Sequence, residues 1–224
     1  MIFSTSEPPQ NIVVPPTDCE MKESGMNKDM TQNYSLTDAD ESVLIIIDVQ
    51  QEFLDKLDLD QRIPLVNRIS WIVEMAGRFE IPLVVTAEDT DNNSGTIRQV
   101  AEKLPPEIKE YNKMSYGLVG DPDILHAIEK TGRKTAVLAG LETDVCVCQS
   151  ALGLLENGFR VVVLADAVGS PGICHDYGIE RMRNAGIIIS SVKGTFYEWQ
   201  RTVYCAITQF KDVYTIKQPE GIYL

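Results

Sequence analysis

Two cysteines separated by one residue, Cys146 and Cys148 in the stretch GLETDVCVCQSALGLL (140–155), are the side chains whose type and spacing first suggest chemistry. Such a pair could clip a metal, close a disulfide, fill a core or supply one nucleophile. A structural zinc site wants four Cys or His ligands. The chain has only two histidines, His126 and His175, neither beside another cysteine pair. A disulfide between thiols on opposite sides of one helical turn is badly strained. Helical geometry then separates the two thiols. If the helix starts near Thr143 or Asp144, both good N-cap types, then Val147, Cys148, Ala151, Leu152, Leu154 and Leu155 share one apolar arc. Cys146, Gln149, Ser150, Gly153, Glu156 and Asn157 lie on the other. Cys148 reads as core. Cys146 reads as an exposed thiol in the first turn, where free N–H groups and the helix dipole favour a thiolate. Pattern alone leaves catalysis and a passive role equally open for it.

A second chemical residue is Asp48, which closes the apolar run Leu44-Ile45-Ile46-Ile47. A carboxylate there is costly unless it is paired or stands at an open end. It reads either as an aspartate capping the next turn or as a general base whose pKa depends on a partner. His126, in DILHAIEK, is expected on a helix surface, and His175 follows Cys174 in a loop that could border a pocket. No Cys-His pair is evident, so a reactive thiol must find its base elsewhere.

These residues need elements to position them. The 224 residues, 44% hydrophobic and 24% charged, suit one globular domain with a sizeable core. Residues 1–40 differ in composition: Pro8, Pro9, Pro15, Pro16 and an excess of acids mark an N-terminal extension. Its run Ile12-Val13-Val14 could dock as an arm on a neighbouring protomer. From residue 41 on, the apolar runs VLIIIDV (43–49), PLVVT (82–86), TAVLAG (135–140), RVVVLAD (160–166) and GIIISSV (186–192) alternate with amphipathic stretches. Continuous β-branched runs predict strands covered on both faces. Helical stripes span 63–76, 123–131, 144–157 and 175–185. Gly132, Gly158 and Gly186 each stand between a helix pattern and a strand, the usual place of a left-handed C-cap. Repeated β-α units predict a doubly wound α/β fold, with ligands beyond the carboxyl ends of the strands.

The formal net charge of −13 disfavours nucleic acid or an anionic membrane as partner and suits a small-molecule substrate. No run reaches the ~18 apolar residues of a membrane span. The N-terminus MIFSTSEPPQ lacks the pattern of a secretory signal. Five scattered cysteines read as reduced thiols. Together these predict a cytoplasmic protein.

Three segments in order, VLIIIDVQQEFL with Asp48, YNKMSYG with Lys113 and AGLETDVCV with Cys146, resemble the isochorismatase-like cysteine hydrolases, which include nicotinamidases and N-carbamoylsarcosine amidohydrolase. The resemblance covers roughly Tyr34 to Phe210. It implies a three-layer sandwich around a six-stranded parallel sheet, homo-oligomers such as dimers or tetramers, and a triad carried by Asp48, Lys113 and Cys146. Without it, Lys113 is one of 20 basic residues. In the implied mechanism Asp48 accepts the thiol proton as Cys146 attacks a carbonyl carbon, delivers it to the departing amine and later activates water against the thioester. Lys113 holds Asp48 ionised. The family's non-proline cis peptide falls at Leu141–Glu142, so the N–H groups of Glu142 and Cys146 are the implied oxyanion hole, with Thr143 and Asp144 as scaffold. Gln50, Phe53, Glu88, Tyr116, Asp166, His175 and Trp199 follow strand ends or lie beside triad positions and are candidate substrate-binding residues, although Phe53 and Trp199 suit a core equally well.

Departures from the family refine the expectation. The segment VVTAEDTDNNSGT has no histidines where nicotinamidases of this family carry a metal site, which argues against a nicotinamidase and for a hydrolase with neither metal nor cofactor. Isochorismatases commonly have glycine at the cysteine position, so Cys146 favours attack on an amide or N-carbamoyl C–N bond. Two alternatives stay open: a vinyl ether hydrolase using Asp48 and Lys113 alone, and a non-catalytic interaction or redox-sensing protein.

Overall fold

The structure, a computed structural model, describes residues 36–215 and 217–224. The expected arm at 12–14 and most of the 1–40 extension lie outside them. Six strands form one sheet: β1 (Ser42–Ile47), β2 (Leu83–Glu88), β3 (Glu110–Lys113), β4 (Thr135–Leu141), β5 (Arg160–Gly169) and β6 (Ile188–Ser190). Their order is β3-β2-β1-β4-β5-β6, and every pairing is parallel. The order reverses beside β1, the topological switch point where such sheets bind ligands.

Parallel strands need crossovers, and helices supply them. Those used here are α1 (Gln51–Leu54), α2 (Leu59–Arg78), α3 (Arg98–Ala101), α4 (Pro122–Lys130), α5 (Cys148–Glu156), α6 (Cys174–Asn184) and α7 (Val192–Gln200). Strand β1 shows why its sequence is an unbroken apolar run. Leu44 and Ile46 face a core layer with Ile69, Ile72 and Val73 of α2 and Phe196 of α7. Val43, Ile45 and Ile47 face a second layer with Ile124 and Ile128 of α4 and Ala151 and Leu154 of α5. All six β1 residues are fully buried, so alternation would place a polar group in one core or the other. The three helix-ending glycines have positive φ, at 72°, 83° and 92° for Gly132, Gly158 and Gly186, which is the C-cap conformation the sequence predicts.

Two elements differ from the sequence reading. Strand β3, EYNK, has no apolar run because it is an edge strand whose residues are mostly solvent-facing. The helix expected from Thr143 begins instead as a π-helical turn over Thr143–Val147 and becomes α-helical only at Cys148. Cys148 is buried, as predicted. Cys146 is buried too, at 3% exposure, which corrects the expectation of an exposed thiol. The opposite arc is a second packing face. Ser150 Oγ donates to Cys146 O and accepts from Leu118 N, and Gly153 lies against Val119. That face receives the loop following β3, and with it Lys113.

Candidate active site

Three strands end at one point. Asp48 directly follows β1, Glu88 closes β2 and Lys113 closes β3, while the π turn after β4 brings in Cys146. Asp48 bends the chain there with φ of 49°, and its N–H donates to Thr86 O at 3.0 Å. Asp48 Oδ1 accepts from Thr86 Oγ1 at 2.8 Å, and Oδ2 lies 2.9 Å from Lys113 Nζ. The Asp48–Lys113 contact is an ion pair; the ammonium aims a hydrogen bond at Ser115 O, 2.7 Å away. Both side chains have no solvent exposure. Lys113 Nζ is also 3.8 Å from Cys146 Sγ, and Sγ donates to Glu88 Oε2 at 3.2 Å.

The register of β2 on β3 sets Glu88 opposite Lys113, with Oε2 3.4 Å from Nζ. Gln50, fully buried, clamps this strand end from both sides: its Nε2 donates to Glu88 O at 2.8 Å, and its Oε1 accepts from Glu88 N at 2.7 Å. Gln50 therefore holds Glu88 in place. Glu88, expected as a substrate-binding residue, touches the Cys146 sulfur directly. Its signal in sequence was its place at the end of a strand, the same place Asp48 holds.

Burial and charge set the protonation states. Burial pushes the Asp48 carboxyl above its ordinary range, and the Lys113 charge pulls it back only in part. Burial works against the Lys113 ammonium, but the charges of Asp48, Cys146 and Glu88 outweigh it and lift the pKa above the usual lysine value. For Cys146 burial is again the largest cause and pushes the thiol far up; Asp48 adds to the rise and Lys113 opposes it. Burial and the Asp48 charge thus work against the thiolate that the helix dipole was expected to favour, and Sγ stands as the donor to Glu88 Oε2.

The remaining predicted positions are spread over the same end of the sheet, with one exception. The peptide Leu141–Glu142 is cis, and the Glu142 side chain pairs with Lys56 at 3.0 Å. Thr143 Oγ1 meets His175 Nδ1 at 3.0 Å, and Asp144 Oδ1 accepts from Ser170 Oγ at 2.6 Å, so both scaffold residues tie the π turn to α6 and the end of β5. Tyr116 is 58% exposed, and Phe53 packs in the α2-side core with the Lys56 ammonium 4.7 Å above its ring. Asp166 accepts from Val192 N and pairs with Arg68. A cavity of about 440 Å³ is lined by Arg68, Asp166, Ser170 and His175 but by none of Asp48, Glu88, Lys113 or Cys146. Trp199 is the exception: its Nε1 donates to Ser42 Oγ at the start of β1, the opposite end of the strand from Asp48. His126 is on the surface of α4.

The oxygen and sulfur atoms of Asp48, Glu88 and Cys146 all lie within 4.8 Å of one another. A metal ion could in principle be held by such a set, but the Lys113 ammonium is already the cation that these three groups contact.

Residues 42–193 match the isochorismatase domain. The chain belongs to the isochorismatase family. Within that family it is 31% identical over 162 residues to the secreted isochorismatase effector Isc1 of Phytophthora sojae, covering 70% of this chain and 76% of the relative. Among solved structures it resembles YcaC from Pseudomonas aeruginosa with hexane-2,5-diol and covalent acrylamide, at 25% identity and a TM-score of 0.73 over 80% of this chain and 90% of that one. It also resembles the Escherichia coli YcaC product, an octameric hydrolase of unknown specificity, at 23% identity and a TM-score of 0.74 over 82% and 91% of the two chains. The isochorismatase-family assignment makes the chain a hydrolase. Among the described residues no helix is long and apolar enough to cross a membrane.

Proposed function

We propose that this isochorismatase-family hydrolase cleaves a C–N bond, amide or N-carbamoyl, of a small molecule through a thioester on Cys146. The observation that carries the reading is the convergence of the Cys146 sulfur with buried carboxylate and ammonium groups from separate strand ends. Asp48 takes the thiol proton as sulfur attacks the carbonyl carbon and passes it to the leaving nitrogen. Lys113 keeps Asp48 anionic and oriented where neither side chain reaches solvent. The backbone N–H groups of Glu142 and Cys146 stabilise the developing oxyanion. Tyr116 and His175 border the approach for substrate, with Phe53 packed behind it. No metal or cofactor is needed, because the ammonium supplies the positive charge. The covalent acrylamide held by the Pseudomonas relative supports reactivity toward an amide-bearing electrophile in this fold.

Two further parts of the reading are coarser. The octamer of the Escherichia coli relative supports self-association of this chain, which we place at a dimer or tetramer. The odd number of scattered cysteines, five in the whole chain, suits a reducing cytoplasm.

The test is a panel of small amides and N-carbamoyl compounds, assayed for ammonia release and for a mass adduct on Cys146. Both are expected from the unmodified chain and neither from Cys146→Ala. The similarity to Isc1 favours one other reading, vinyl ether hydrolysis by Asp48 and Lys113. Isochorismate turnover that survives Cys146→Ala decides for that second reading.

A further inference from the structure

Glu88 is the member of the charged cluster that faces both ways. Its Oε2 accepts the thiol hydrogen bond at 3.2 Å and lies 3.4 Å from the ammonium, yet its side chain keeps 19% exposure while Asp48 and Lys113 keep none. It is also held firmly. Gln50 binds both its N–H and its C=O, and Asn93 Nδ2 adds a hydrogen bond to the same carbonyl.

Hydrolysis through a thioester has two separate proton-transfer problems. Acylation needs a base for the thiol and an acid for the leaving amine. Deacylation needs a base for water and a proton for the departing sulfur. The water arrives from the solvent side. Asp48 is enclosed, with Oδ1 taken by Thr86 and Oδ2 against the ammonium. Glu88 touches the sulfur and keeps part of its side chain open to solvent.

Resting on the cysteine-hydrolase reading above, we propose that Glu88 is a second catalytic carboxylate, the general base of thioester hydrolysis, and that Asp48 serves the acylation half. As water attacks, its oxygen bonds to the thioester carbon and one of its protons moves to Glu88 Oε2. The C–S bond then breaks with its electron pair going to Sγ. The proton on Oε2 crosses the resting contact to Sγ. The released acid keeps the second water proton, the thiol is restored, and both carboxylates return to their starting charge.

The test uses the full chain with p-nitrophenyl acetate as probe, reading p-nitrophenolate by stopped flow and acetylation of Cys146 by intact mass. For Glu88→Gln, the expected result is a retained burst of about one equivalent, acetyl-Cys146 that accumulates, and steady-state turnover slowed roughly 10²–10⁴-fold. Turnover unchanged, or a burst lost in proportion to turnover, overturns the assignment. If Glu88→Gln does not fold, Glu88→Ala with added formate replaces it: restored deacylation supports the role, and acetyl-Cys146 that formate does not clear overturns it. Failure of the broader reading looks different, because the unmodified chain then never acquires an acetyl group at Cys146.

Discussion

At the scale of single residues, the site is one ammonium shared among two carboxylates and a thiol, and each substitution has its own signature. Cys146→Ala is expected to lower amide hydrolysis by roughly a thousandfold or more, since the nucleophile has no substitute. Lys113→Met leaves the Asp48 carboxylate buried without its counter-charge, an expected loss of about 3–5 kcal/mol of stability that chemical denaturation measures. The pH dependence follows from the same contacts. In the proposed mechanism Asp48 must be ionised to accept the thiol proton, and burial raises its pKa above the ordinary 3.8. The acid limb of kcat/KM for acylation is therefore expected above pH 3.8, with activity falling as pH drops through it. Lys113 is raised above 10.5, so its contribution to stability is complete below pH 10.5 and is lost as pH rises through the folded value. A melting temperature that falls on the alkaline side in the unmodified chain but not in Lys113→Met checks that sign.

At the scale of elements, two close approaches bring the reacting groups together, and glycine permits both. Gly140 in β4 has φ of 133°, and a Cβ there would stand 1.9 Å from Ile47 O of β1. Gly140→Ala is expected to break the β1–β4 pairing beside Asp48 and to cost several kcal/mol, of order 3 or more. Gly178 in α6 lies against the π turn, where a Cβ would be 2.8 Å from Asp144 Cα. Gly178→Ala should push α6 off the turn that carries Cys146, lowering kcat more than the melting temperature. Five of the strands and the four helices α2, α4, α5 and α6 were legible in the sequence, the strands from unbroken apolar runs and the helices from a face of fixed period. The edge strand β3 was not: EYNK pairs on one side only and needs no apolar run. Nor was the π turn, whose extra residue per turn shifts the phase of the arc and buries Cys146 beside Cys148.

At the scale of the whole molecule, the chain carries a formal net charge of −13, and the site itself holds two carboxylates to one ammonium. Neutral or cationic amides are expected to be better substrates than anionic analogues. Raising ionic strength from about 0.01 M to about 0.15 M should narrow the gap in kcat/KM, since the screening length falls from about 30 Å to about 8 Å. Met114 and Tyr116, just beyond Lys113 in the chain, are 70% and 58% exposed, and contact with a neighbouring protomer and contact with substrate are the two roles to tell apart. A mass measured in solution by light scattering, compared between the unmodified chain and Tyr116→Ala, separates the two.

Sequence by itself determined the α/β class, the parallel sheet with two buried faces, the helix-ending glycines and the identity of Asp48, Lys113 and Cys146 as residues to watch. Those properties follow from local periodicity, from the steric freedom of glycine, and from motifs short enough to be read along the chain. Only the tertiary structure decided that the thiol is buried, that Glu88 is its hydrogen-bond partner and that Gln50 holds Glu88 in place. These contacts join residues 38 and 58 positions apart. Their distances depend on strand register and on how a π turn seats against a neighbouring loop, neither of which is encoded in any one segment.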